Sequence, residues 1–203
     1  GEGSLLIGEL EYASDRLNKF SLGLWSYTAA FDRLDADLTT EPVLQRGNHG
    51  AYALLDLPVA NIGAARVDGS LRIGVADGRF NPVDHCAGAT LVVSHALARR
   101  PEDTFGVAVA YGRTGDLYRA VQAMAGSPAA SAETSYEFTY RAPVTGWLAL
   151  TPSVQFVSNP GADLAARDAW VVGVRFELSH EKSWPMVAQR ASSSGQSQQA
   201  ANQ

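Results

Sequence analysis

Cysteine is all but missing: Cys86 is the single one in 203 residues, which excludes an intramolecular disulfide framework. Positive charge is not in surplus either, with 16 Lys+Arg against 21 Asp+Glu and no basic patch, so nucleic acid is not an expected partner. No long apolar run exists. The longest charge-free stretch, Ala142 to Ala162, carries Pro143, Pro152 and Pro160 among Thr, Ser, Gln and Asn. A membrane helix needs about 18–20 consecutive, mainly apolar residues, so none is expected. The opening GEGSLLIGELEYA has neither a basic n-region nor a small-residue cleavage site. It reads as though already inside a strand, and the expectation is a removed signal or a piece of a longer chain.

Catalytic signatures are also wanting. The chain holds no G-x-S-x-G, no H-E-x-x-H, no paired C-x-x-C and no phosphate loop, so no enzyme, catalytic residue or cofactor is expected. Asp84, His85 and Cys86 are consecutive, and consecutive residues of an extended chain point to opposite sides, so they read as a loop end and not a metal site. His49, His95 and His180 are scattered without ligand spacing. Glu133 and Glu137, four residues apart on one strand face, stand about 13 Å apart by strand rise. Glycosidase carboxylates sit roughly 5–9.5 Å apart, so this pair does not suit that chemistry.

What the chain has is period-two alternation. In DAWVVGVRFEL (168–178) the even residues from Trp170 to Leu178 are W, V, V, F and L, while the odd ones from Ala169 to Glu177 are A, V, G, R and E. The same split recurs in SLRIGVA (70–76), TFGVAVAYG (104–112) and AETSYEFTYRA (132–142). Nine candidate strands follow, over roughly 4–13, 19–30, 48–57, 70–77, 86–97, 104–113, 132–142, 146–157 and 168–178. Most run 8 to 12 residues. Strands of soluble proteins average about 5–6, and tilted membrane strands need about 9–11.

Connections mostly alternate between long (DRLDADLTTEPVLQRG, TGDLYRAVQAMAGSPAAS, SNPGADLAAR) and short (SDRLN, ARRPED, PVTG). PVANIGAARVDG (58–69) breaks the alternation at a dozen residues. Bacterial outer-membrane barrels have short periplasmic turns and longer outer loops. Aromatics fall toward strand ends, as Phe105 and Tyr111, Tyr136 and Tyr140, Trp170 and Phe176, where interfacial girdles would hold them. The residues therefore predict an all-β fold, an antiparallel transmembrane β-barrel of the outer-membrane porin type. Pro152 lacks the ladder donor, and a bulge is expected there. Residues 179–203, rich in Ser, Gln and Ala, read as a disordered tail after a barrel portion spanning 1–178.

On the faces opposite the apolar rows stand Glu9, Glu11, Arg72, Glu133, Glu137, Arg141, Gln155, Arg175 and Glu177. An arginine facing lipid near the midplane would cost about 2–4 kcal/mol, so these residues are expected to face water. Neutral sugars offer hydroxyls that Arg, Glu and Gln can hydrogen-bond. Arg72, Glu133, Glu137, Arg141 and Arg175 are the candidates to line a sugar path, against the plainer reading that they only solvate a lumen wall.

Four stretches, GVADGRFNPVDH (74–85), RPEDTFGVAVAYGRTGD (100–116), AETSYEFTYRAPVTGWLALTPSVQFVSNPGAD (132–163) and AWVVGVRFEL (169–178), resemble in order the C-terminal half of the carbohydrate-selective porin family, OprB type. The resemblance covers most of residues 48 to 178. It implies an outer-membrane barrel of about 16 strands, an even count as in bacterial barrels generally. About nine of them would lie here, so a fragment or truncated form is expected. The implied activity is passive diffusion of mono- or oligosaccharides into the periplasm. Outer-membrane lipid and the barrel-assembly machinery are the implied partners, with a homo-oligomer left open. Two rival readings stand beside it: a barrel piece with a structural, non-transport role, and a soluble antiparallel β-sandwich that binds a ligand in its core.

Overall fold

The structure, a computed structural model, describes residues 3–14, 17–36 and 44–179. Its elements in chain order are β1 (Leu5–Ser14), β2 (Leu17–Tyr27), β3 (Phe31–Asp32), β4 (Leu44–Gln45), β5 (His49–Ile62), β6 (Ala65–Ala76), β7 (Val83–Ser94) and β8 (Thr104–Thr114). There follow helix α1 (Asp116–Met124), β9 (Ala132–Thr145), β10 (Leu148–Ser158), a 3-10 turn (Pro160–Ala162) and β11 (Ala169–Leu178). Nine strands form one antiparallel sheet in the order β1-β2-β5-β6-β7-β8-β9-β10-β11, and β3 pairs with β4 as a small separate ribbon. Strands adjacent in the sheet are adjacent in the chain, apart from that ribbon. The sheet is open, with β1 and β11 as its edges.

Register decides what each face carries, because directly paired residues share a side. Trp170 pairs with Phe156, Phe156 with Tyr136, Tyr136 with Val109, and Val109 with Ala89. The neighbouring row runs Val172, Val154, Phe138, Val107, Leu91. On the other half of the sheet Leu71 pairs with Leu55, Leu55 with Phe20, and Phe20 with Tyr12. One face is thus apolar from β1 to β11.

That face is bare. Trp170, Val172, Val174, Phe176 and Leu178 are 71, 79, 54, 67 and 74% exposed, and Leu10 at the far edge is 80% exposed. Among the described residues the buried apolar side chains come to Phe80, Ala130, Ala149 and Ala162. A soluble β-sandwich would bury its large side chains against a second sheet; here they face outward, as lipid contact requires. From Trp170 to Leu178 the apolar row of β11 covers about 26 Å along the strand, or about 20 Å along the normal at a ~40° tilt. That approaches the apolar band of about 25 Å seen on outer-membrane barrels. No helix among the described residues is long and apolar enough to cross a membrane.

The aromatics mark the two rims of this band. Toward the long loops, Tyr136, Phe156 and Trp170 form a row with ring centroids 6.5 and 5.0 Å apart. Toward the short turns Phe105 stacks on Tyr140 at 4.9 Å, and the Tyr140 hydroxyl donates to Asp103 in the β7–β8 connection. Asp103 is buried and also accepts from Arg100 Nε at 2.6 Å. Burial pushes its carboxyl up, but those two hydrogen bonds outweigh burial and hold it below the usual carboxylate value.

Three features depart from the sequence reading. The dozen-residue connection expected over 58–69 is instead a tight hairpin: β5 continues to Ile62 and β6 starts at Ala65. Gly63 makes the turn with φ +62°, a conformation that favours glycine, and a bulge between Pro58 and Ala60 absorbs the proline. A short connection therefore stands here, as the alternation requires, but the alternation by length fails at the next pair, where β6–β7 has six residues (77–82) and β7–β8, expected to be short, has nine (95–103). The bulge expected at Pro152 lies elsewhere, between Leu148 and Ala149. Pro152 stays in register with Val174 on β11, and on the β9 side the ladder skips Thr151 and Pro152 and resumes at Ser153. The ring costs a donor but no residue is inserted. The third departure is helix α1, in a segment read as loop. The expected tail falls outside the described residues beyond Ser179.

The two faces predict opposite responses at adjacent positions of β8. Val107→Arg puts a cation into the apolar row and is expected to destabilise the barrel in phospholipid vesicles by about 2–4 kcal/mol. Ala108→Arg, on the polar face beside Glu137, is expected to shift stability by no more than ~0.5 kcal/mol. Equal losses in equilibrium unfolding would contradict the face assignment.

Candidate functional site: the polar wall and its outer mouth

The odd residues of β9, β10 and β11 and the even ones of β6, β7 and β8 make the second face. All five sequence candidates stand on it. Arg72 pairs with Leu54 and Gly88, and Glu137 with Ala108 and Gln155. Arg141 pairs with Thr104, Glu133 with Gly112, and Arg175 with Thr151. They are not one cluster. Arg72 on β6 is separated from Arg141 on β9 by two strands, and among the described residues it makes no ion pair.

Arg141 and Glu177 are brought together across β10, with the guanidinium Nε and one terminal nitrogen donating to Glu177 Oε2 at 3.0 and 2.6 Å. Glu102, Thr145 and Ser179 join them around a groove of about 370 Å³ at the short-turn end. At the opposite edge Lys19 pairs with Glu11 at 2.6 Å, and Tyr52 donates to Glu9 at 2.6 Å. The Tyr52 ring crosses β2 flat to make that bond, and a Cβ at Gly23 would stand 2.1 Å from Tyr52 Cζ. Only glycine permits this close approach.

Glu133 is not a free lumen carboxylate. The connection after β10 folds over the wall, and the Gly161 N–H donates to Glu133 Oε2 at 2.5 Å. The Ala130 N–H donates to Ala162 O at 2.7 Å, which ties this connection to the one before β9.

Helix α1 lies over the same region. Its sequence DLYRAVQAM starts with an aspartate in the first turn, favoured beside the helix N-terminus, and ends at Gly126 with φ +80°. The Gly115 N–H donates to Pro82 O at 2.8 Å. A chain of ion pairs then fixes the helix: Asp84 to Arg113 at 2.7 Å, Arg113 to Asp116 at 3.0 Å, and Asp116 to Arg119 at 2.5 Å. Beside it, Asp77 holds Arg79 at 2.6 Å, and Arg79 lies 5.2 Å over the Phe80 ring.

Sequence reasoning missed the inward aromatics. Trp25 and Tyr27 occupy the polar face of β2, with ring centroids 5.8 Å apart. Tyr27 meets Phe31 at 5.1 Å, and Phe31 meets Phe80 at 6.4 Å. The signal was present in FSLGLWSY, where Ser21, Gly23, Trp25 and Tyr27 alternate with Phe20, Leu22 and Leu24.

A family model described as "Carbohydrate-selective porin, OprB family" matches residues 1–179. Among solved structures, the high-pH structure of Pseudomonas putida OprB superposes with a TM-score of 0.76 at 22% identity. The alignment covers 87% of this chain and 48% of that one, so this chain spans about half the length of that relative. At this identity the likeness establishes the fold. Among curated proteins, none matches the sequence.

The ion-pair chain gives α1 a pH dependence. Arg119, then Arg113, hold the Asp116 carboxyl below the ordinary carboxylate value. A lowered folded-state value means this contribution is full above the unfolded value of about 3.9 and is lost as pH falls through the folded one. Amide exchange across 116–124 is expected to lose protection below about pH 4. Asp116→Asn should remove that pH step, and a step that survives the substitution would contradict the assignment.

Proposed function

This chain belongs to the carbohydrate-selective porin family, β-barrels of the outer membrane, and on that premise we propose that its polar wall lines a water-filled path for passive diffusion of mono- or oligosaccharides. One observation carries the proposal: the register gives the sheet one exposed apolar face and one face that bears Glu9, Glu11, Lys19, Arg72, Glu137, Arg141, Gln155 and Arg175. Charged side chains on one side and exposed large apolar ones on the other suit a sheet between water and lipid. The family is one of channels, and its members act by letting solutes pass.

Residues 1–178 form, in this reading, the C-terminal portion of the barrel, with outer-membrane lipid against the apolar face. Both edges of an open sheet must be paired, because lipid cannot satisfy free backbone groups. β1 runs toward a two-residue connection and β11 runs away from a long one, so both run from the long-loop end to the short-turn end. Antiparallel closure therefore needs an odd number of further strands. The seven that complete a barrel of about 16 meet that condition.

Arg141, Arg175, Glu137 and Arg72 offer sugar hydroxyls donors and acceptors without demanding net charge on the solute. Arg141→Ala with Arg175→Ala in the complete barrel is expected to slow sugar-driven liposome swelling by about two- to fivefold, the scale of losing ~0.5–1 kcal/mol of interaction. Unchanged rates would remove these residues from the path. A parent barrel that passes no sugar would overturn the function and favour the structural reading.

A further inference from the structure

We propose that the pocket beneath α1 is a binding subsite for one neutral sugar ring at the outer mouth of the channel; the assignment rests on the sugar-porin reading above. The pocket, about 250 Å³, is enclosed between the wall positions Gly112, Glu133 and Ser135, the strand-end Thr114, Tyr118 of the helix, and Ala162 of the infolded turn. Drug-sized ligands occupy clefts of about 300–1,000 Å³, so this space suits a single small ring. Its walls come from β8 and β9, which have sheet neighbours on both sides, and from Pro82, Val83, Tyr118 and the turn at Gly161 and Ala162, so it lies away from the open edges of the sheet.

Thr114 supplies the sign that something belongs there. Its side chain is 2% exposed, yet its Oγ1 has no hydrogen-bond partner. Buried hydroxyls are nearly always satisfied, because leaving one unpaired costs its full desolvation. Thr114 lines the pocket, and with its Oγ1 shielded as the side chain stands, a turn about the Cα–Cβ bond is what would bring the hydroxyl to an occupant able to satisfy it. Around it stand further groups of the same kind. Glu133 has Oε2 committed to the Gly161 N–H, leaving Oε1 to accept from a ligand. Ser135 offers a hydroxyl, while Tyr118 and Ala162 provide apolar surface for the C–H face of a ring.

Charge narrows the class of ligand. Arg113 is taken by Asp84 and Asp116, and Arg119 by Asp116. The one ionisable carboxylate lining the pocket is Glu133, so a neutral sugar is admitted and a sugar acid or sugar phosphate is disfavoured. Tyr118 and Ala162 also border an outer cleft of about 570 Å³, so they stand between that cleft and the pocket.

The test is sugar block of ion current through the complete porin in planar bilayers, titrated with D-glucose and with gluconate. Thr114→Val keeps the shape and removes the hydroxyl, and Glu133→Gln removes the charge. Each is expected to weaken glucose block by about tenfold, with gluconate blocking more weakly than glucose in the parent. Heat-modifiable gel mobility checks that each variant is folded, and Ser135→Ala stands in for any that is not. Parent-like glucose affinity in folded variants would overturn the subsite, leaving the pocket to water, while block of the parent would keep the porin reading intact. Gluconate binding more tightly than glucose would likewise overturn it. A parent neither blocked nor permeated by either sugar would remove the porin reading and the subsite together.

Discussion

In hydrocarbon no water is present to satisfy a peptide group, so each N–H and C=O must find its partner within the protein. This constraint fixes most of what is seen. Nine long strands give each other their hydrogen bonds in a simple antiparallel succession, and their side chains must then alternate between two surroundings. The prolines show how tight the requirement is. At Pro58 the ladder inserts a residue, and at Pro152 it goes without bridge pairs toward β9 while keeping its register toward β11. In both cases the face assignment beyond the proline is preserved. A slip of one residue would have turned Phe156 inward and Gln155 into lipid.

The polar face follows from the same geometry, and at the end of the long connections loops pack against it. Ion pairs from Asp84 through Arg113 and Asp116 to Arg119 hold a helix against the wall, while Glu133 clasps the connection after β10. Charges at this rim are spent on loop structure; further down the wall Arg141 pairs with Glu177 and Lys19 with Glu11, while Arg72 has no ion-pair partner among the described residues. The division suggests a mouth that shapes access and a wall that offers hydrogen bonds along the way.

Much of this was legible in the residues. Strand number, the identity of the lipid row and the face of Arg72, Glu133, Glu137, Arg141 and Arg175 all follow from alternation, which needs no knowledge of tertiary contacts. The outer aromatics were legible for the same reason. Features set by tertiary contact were not. Helix α1 is nine residues long, too short to stand out by periodicity, and exists because ion pairs and the Pro82 carbonyl anchor its start. The hairpin at Gly63 was hidden because Pro58 and a bulge interrupt the alternation. Thr114 looked like the end of a strand; its unpartnered hydroxyl has meaning only once Tyr118 and the turn at Gly161 are folded over it.

The central claim is that alternate residues of each strand meet lipid and water. With Cys86 replaced by alanine, single cysteines placed in turn at 169–178 of the complete barrel in vesicles test it directly. Even positions labelled with a fluorophore should be quenched by brominated lipid, and odd positions should react with a membrane-impermeant thiol reagent. A helical period, or equal access of both sets to water, would contradict the account.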